Sequence, residues 1–164
     1  MNTDTPHGGD RDPATAALAA LAAAHRSLSA VIDRELRAAC GLSLAEADVL
    51  ATLTRSPDGR QRMADIAAHM CVSKSGATQI TGRLVAAGLA ARESSATDRR
   101  LVYAAITTEG RDVLAKAAPV LAAIAREHIA SRLPDADLGQ LTQALRTIAG
   151  ASPPEASQRR GATP

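Results

Sequence analysis

The sequence predicts a mainly α-helical fold with a small β element, and three observations carry the prediction. Of the residues, 46% are apolar but only 1% aromatic, the single Tyr103, so alanine and leucine supply most of the core. These two residues have the best helix propensities, and few bulky β-formers compete with them. Apolar residues recur at three- and four-residue steps near both ends of the chain, and two short runs at 89–93 and 101–106 flank a polar stretch. At 164 residues the chain is long enough for one domain with a real core and cramped for two.

Residues 1–12 and 151–164 are rich in Gly, Pro, Ser, Thr and charge and read as disordered tails around one domain, 13–150. Leu18, Leu21, His25, Leu28, Ile32 and Leu36 line one face of a first helix over about 14–40, which Gly41 caps. Ser43 and Glu46 have capping-box spacing and start a second helix that runs to about Arg55; Ser56 to Gly59 is a turn. A short helix from Met63 to Met70 turns Ile66 and Ala67 inward. Val72 fills the break that follows. A further helix from about Ser75 to Ala87 buries Ala77, Ile80 and Leu84 and ends at Gly88. The two apolar runs pair as a hairpin whose tip is Ser94 to Arg100. Thr107 or Thr108 caps a helix to about Ser131, with Leu114, Ala117, Leu121, Ile124 and His128 on one stripe and a kink expected at Pro119. Leu138, Leu141, Leu145 and Ile148 mark a last helix ended by Gly150. Two helices joined by a tight turn and followed by a hairpin make a winged helix-turn-helix, here over about 42–107, with long helices before it and, over about 108–150, after it.

The formal charge of +2 is unevenly spread. Residues 60–111 hold eight Lys or Arg against four acids, a net +4, so the rest carries −2. A basic middle suits a polyanion partner, although a solvated charged face gives the same excess. Single strands and RNA are disfavoured as partners, because their binding platforms stack bases on aromatic rings that this chain lacks. Cys40 and Cys71 have neither CxxC spacing nor the numbers of a disulfide framework, which points to a reducing compartment. The N-terminus does not resemble a signal peptide. The Ala-Leu run from Ala14 to Ala24 is interrupted by His25 and Arg26 and is too short to cross a bilayer, so the cytoplasm is expected and a membrane is not. His7, His25, His69 and His128 show no metal-ligand spacing, and no Gly-rich phosphate loop or Ser-His-Asp arrangement is visible. Neither a metal, a cofactor nor an enzymatic activity is expected.

The helix after the tight turn presents Ser73, Lys74, Ser75, Thr78, Gln79 and Arg83 outward once Ala77, Ile80 and Leu84 are seated inward. Hydroxyls and backbone amides at its N-terminus suit phosphate, and Thr78 and Gln79 have the reach to read base edges in a major groove. An ordinary polar helix face is the competing reading. At the hairpin tip Asp98, Arg99 and Arg100 offer a guanidinium for a minor groove and a carboxylate to hold it.

Three stretches, GLSLAEADVLATL, MADIAAHMCVSKSGATQITGRLVAAGLAAR and DRRLVYAAITTEGRDVL, carry a resemblance over roughly residues 41–114. The chain resembles the multiple-antibiotic-resistance regulator (MarR) family, whose wing signature is an Asp-x-Arg followed seven residues later by Thr and then by Glu-Gly-Arg. The resemblance implies a homodimer formed by the N-terminal and two C-terminal helices, each winged part on one half of a DNA palindrome. It implies a repressor released by a small anionic phenolic effector or by an oxidant, with Arg100 as minor-groove arginine and Asp98 as its partner. This sequence departs from the family pattern at Cys71, where glycine is usual because the turn often needs a positive φ, and in having no aromatics outside Tyr103 to line an effector pocket. His25, Arg26 and Asp48 are the candidates for such a pocket. Cys71, beside the helix N-terminus and Lys74, and Cys40, in the first helix, are the candidates for redox control. The alternatives are a winged-helix module that docks proteins without binding DNA, and a cysteine-based redox-sensing regulator. Exposed apolar anchors would mark the first.

Overall fold

Four of the helices begin where a side chain, of Asp12, Ser43, Ser73 or Thr107, accepts from an N–H group that a helix start leaves without a partner. In the computed structural model, which describes residues 12–94 and 101–150, the Asp12 carboxylate accepts the Thr15 amide at 3.2 Å. Pro13 fills the first position of α1 (Pro13–Cys40), where no donor is needed. Gly41, with φ 73°, closes the helix through its N–H on the Arg37 carbonyl. The expected tails at 1–11 and 151–164 and the hairpin tip at 95–100 lie outside the described residues. His25 and Arg26 do not interrupt α1. Its 28 residues, with mean hydropathy 1.4 over an 18-residue window, make it long and apolar enough to span a bilayer by length and composition alone, as the core or interface helix of a non-membrane protein can also be.

The predicted capping box starts α2 (Leu44–Arg55): Glu46 N–H donates to Ser43 Oγ at 3.2 Å and Ser43 N–H donates to Glu46 Oε2 at 2.9 Å. A second anchor comes from α1, where Asp33 Oδ1 accepts the Leu44 amide at 2.9 Å and so fixes the corner between the two helices. The Arg37 guanidinium, and then that amide, hold the Asp33 carboxyl below its ordinary value.

Next come β1 (Arg60–Arg62), α3 (Met63–His69), α4 (Lys74–Ala86), β2 (Ala90–Ser94), β3 (Val102–Ile106) and α5 (Thr108–Ala125). The sheet has three strands in the order β1-β3-β2, all antiparallel, with Arg62 and Glu93 both opposite Tyr103. β1 is an addition to the expected hairpin. Arg-Gln-Arg has no apolar alternation to announce a strand, and it becomes one only by pairing with β3. Thr107 is the cap of α5, its Oγ accepting the Gly110 amide at 3.0 Å. The helix continues through Pro119 to Ala125 and then passes into a π-helical turn, Arg126–Ala130. The last helix, α6 (Asp135–Gly150), includes Gly150.

One buried cluster unites the elements up to α5: Leu36, Leu42, Val49, Leu50, Leu53, Ile66, Ala77, Leu84, Ala104 and Ala117 are its centre. Burying each of its Leu and Ile side chains contributes about 1.5–3 kcal/mol. Two seats differ from expectation. Val72 is exposed rather than filling the turn, and Ile80 is half-buried, while Thr81 takes the buried place. Among the described residues the chain divides at Ile124 and Ala125 into two compact units. In the second, no residue of α6 is buried, and Leu141, Leu145 and Ile148 are exposed.

Candidate nucleic-acid interface

The helix-turn-helix is α3, a tight turn and α4. Three amides close the turn: Met70 N–H on Ile66, Cys71 N–H on Ala68 and Val72 N–H on Ala67. Closing it this tightly puts Cys71 at φ 52°, the one positive-φ residue other than glycine among those described, which is the backbone that glycine usually serves at this place. The Cys71 side chain is exposed. Cys40 is half-buried, and its thiol donates to the Leu36 carbonyl at 3.2 Å on its own helix.

Ser73 caps α4, accepting the Gly76 amide at 3.1 Å, and its hydroxyl lies 2.9 Å from that of Ser75. Lys74, Ser75, Thr78, Gln79 and Arg83 are exposed, as the sequence predicts. The Thr78 hydroxyl donates back to the Lys74 carbonyl at 2.8 Å. Ser75, Gln79 and Arg83 are spaced i, i+4, i+8 and form one stripe.

Arg83 has a partner that its sequence neighbours do not reveal. Its Nε donates to Oε1 of Glu46 at 2.8 Å, 37 residues away on α2. The other carboxylate oxygen of Glu46 already accepts from the Ser43 amide and, at 2.7 Å, from its hydroxyl. Burial raises the Glu46 pKa, but the Arg83 guanidinium, followed by the Ser43 amide and hydroxyl, brings it below the ordinary glutamate value.

Several further groups were not singled out by sequence. Arg92 on β2 donates from Nη2 to the Thr78 carbonyl at 3.4 Å, which ties the wing to α4. On the opposite side of the sheet, Arg60 and Arg62 stand 5.2 and 6.0 Å from the Tyr103 ring centroid. Arg62 also donates to the Tyr103 hydroxyl at 3.3 Å, and Arg60 pairs with Glu93 at 3.2 Å. The signal for this cluster is the period-two alternation of β3, which turns Tyr103 away from the buried Ala104 and Ile106.

The candidate effector residues each have their own surroundings. Asp48 faces His69 of α3 at 3.9 Å, and His69 in turn meets Arg55 at 3.2 Å. His25 lies near Ser29 on its own helix, and Arg26 is exposed. No hydrogen bond or ion pair among the described residues joins either to Asp48. A groove along α6, lined by Leu138, Thr142, Gln143 and Arg146, includes none of the three. Asp98, Arg99 and Arg100 lie outside the described residues, between Ser94 and Val102, the last facing pair of β2 and β3. The described residues contain no group of three or more His, Cys, Asp or Glu arranged to hold a metal.

The sequence model of the MarR family matches residues 41–101, the stretch that holds α2 to β2. The chain is similar to AbsC, a MarR family transcriptional regulator from Streptomyces coelicolor, at 30% identity over 92% of this chain and 95% of that one, with a TM-score of 0.72. A second MarR family transcriptional regulator from Streptomyces coelicolor, crystallised in complex with DNA, is 25% identical over 89% of this chain and 92% of its own, with a TM-score of 0.77. The transcriptional regulator BldR from Sulfolobus solfataricus is likewise 25% identical, over 87% and 98%, with a TM-score of 0.77. No curated protein matches the sequence.

Proposed function

We propose that this chain, which belongs to the MarR family of transcriptional regulators, binds palindromic double-stranded DNA as a homodimer, represses transcription from that site, and is released by a small-molecule effector. The observation that carries the reading is the outward face of α4, where Ser73, Lys74, Ser75, Thr78 and Gln79 stand exposed on a helix seated by Ala77, Thr81 and Leu84. A helix so placed meets a major groove with hydroxyls and amides at its N-terminus for phosphate and with Gln79 for a base edge. The Streptomyces coelicolor regulator in complex with DNA supports the same ligand here. On the sequence signature alone, Asp98, Arg99 and Arg100 are assigned a contact with the minor groove.

Dimerisation through the terminal helices accounts for apolar side chains that the described chain does not cover: Leu18 and Leu21 on α1, and Leu141, Leu145 and Ile148 on α6. The same association gives the long apolar α1 a protein surface in place of a membrane, and action on DNA places the protein in the cytoplasm. His25, Arg26 and Asp48 are retained as candidates for the effector, and Cys71 and Cys40 for redox control; the exposed Cys71 is the more accessible thiol.

The test is size-exclusion chromatography with light scattering on the full chain, alone and with a duplex from the DNA flanking its own gene. The expected result is a dimer that shifts to a dimer-on-duplex mass, with Gln79→Ala weakening binding only at sites carrying its preferred base. A monomer at micromolar concentration, or no preference over scrambled duplex, refutes the reading.

A further inference from the structure

We propose that Glu46 is a positioning residue for DNA binding: it holds the Nε edge of Arg83, so that the rest of the guanidinium is presented from α4 as a preset phosphate clamp. The inference rests on the DNA-binding reading above and deepens it. Arg83 closes the stripe that begins at Ser75 and passes through Gln79. Eight residues at 1.5 Å each put it about 12 Å further along the helix, about the width of the major groove, so a helix whose N-terminus meets one wall reaches the other wall at Arg83.

Phosphate recognition by arginine depends on the planar fork being correctly turned, and a free arginine loses rotamer freedom when it binds. Here that ordering precedes DNA. Arg83 Nε is held at 2.8 Å while the side chain remains 51% exposed. The holding carboxylate is itself held, because its second oxygen accepts from the Ser43 amide and hydroxyl at the start of α2, and Glu46 is 9% exposed. Val49, Leu50 and Leu53 bury the rest of α2 in the core that also seats α4. One carboxylate thus joins the cap of a core helix to the DNA-facing helix.

The experiment is a fluorescence-anisotropy titration of the full chain against the flanking duplex at graded salt, with wild type, Glu46→Gln, Arg83→Ala and the double variant. Coulomb's law alone makes Glu46→Gln bind more tightly, since a negative charge leaves a surface that faces phosphates. Positioning predicts the opposite sign. Glu46→Gln weakens binding about tenfold, the scale of one charge-assisted hydrogen bond, and keeps the wild-type salt slope because the arginine charge stays in place. Arg83→Ala weakens binding at least as much and lowers the slope by about one. In the Arg83→Ala background, Glu46→Gln has no further weakening effect. Glu46→Gln that binds as tightly as wild type, or more tightly, overturns the proposal, as does additivity of the two changes. Should Glu46→Gln fail to fold, Arg83→Lys serves instead: it keeps the charge without the fork, and wild-type affinity for that variant overturns the clamp. A wild type that binds no duplex overturns the DNA-binding reading and the clamp with it, whereas tight wild-type binding with an uncoupled cycle overturns the clamp alone.

Discussion

Substituting Gly110 by alanine separates helix propensity from tertiary packing, because the two predict opposite signs. Gly110 lies in the first turn of α5, and alanine there gains up to about 1 kcal/mol of helix propensity. Yet a Cβ at this position would stand 3.0 Å from Ile106 Cγ1 and from the Leu89 carbonyl carbon, and closer still to the Leu89 carbonyl oxygen. The Leu89 carbonyl is backbone and has no rotamer by which to yield. It also accepts the Thr107 amide at 3.2 Å, and the Thr107 hydroxyl donates to the Gly88 carbonyl at 2.8 Å, so moving α5 away strains both contacts. Overpacking costs about 1–3 kcal/mol and each weakened hydrogen bond about 1 kcal/mol. The net loss expected is about 2–4 kcal/mol, which for a chain of this size lowers the Tm by about 4–16 °C. The assay is thermal unfolding followed by far-UV circular dichroism at fixed protein concentration, with Gly82→Ala as control. An added Cβ at Gly82 meets only Arg92 Nη2, at 3.7 Å, so that variant should melt at or above wild type. Gly110→Ala melting at or above wild type would refute the packing argument. The glycine of the Glu109-Gly110-Arg111 element of the wing signature then has a physical reason: only glycine lets α5 start this close to the Leu89 carbonyl, just before β2.

Two other measurements follow from buried polar groups. Thr81 Oγ is buried without a hydrogen-bond partner among the described residues, so Thr81→Val, which keeps the shape, should raise stability by about 1 kcal/mol in a denaturant titration; a loss would show that the hydroxyl has a partner. Glu46 has a pKa below its ordinary 4.5 in the folded chain, so its contribution to stability is complete above that value. It is lost as pH falls through 4.5 toward the folded-state value, where the unfolded chain takes up the proton first. Glu46→Gln should therefore flatten the acid limb of a plot of stability against pH, and an unchanged limb would remove Glu46 from that linkage.

The helices were legible where their signals are local. Ser43 and Glu46 stand at capping-box spacing, Gly41 and Gly88 follow the last periodic apolar residues, and both glycines have positive φ in the structure. The exposed stripe of α4 followed from its periodicity, and the need for a positive φ at position 71 followed from the family resemblance. β1 was not legible, because Arg60-Gln61-Arg62 has no strand pattern of its own and takes its conformation from pairing with β3, opposite Ala105, Ala104 and Tyr103, more than forty residues away. The buried place given to Thr81 and the exposure of Val72 were equally hidden, since the first is decided by how α4 rolls on the core and the second by how the turn before it closes.

By itself the sequence determined the order of the helices, most of their ends and the residues offered on the face of α4, because propensity, capping and amphipathic period act over a turn or two of chain. Tertiary structure alone decided the third strand, the cluster of Arg60 and Arg62 about Tyr103, and the pairing of Arg83 with Glu46. The capping box shows why a glutamate belongs at position 46, but it uses only one of the two carboxylate oxygens. Which residue takes the other depends on two helices meeting across the core, a contact between residues 37 apart that no local preference encodes.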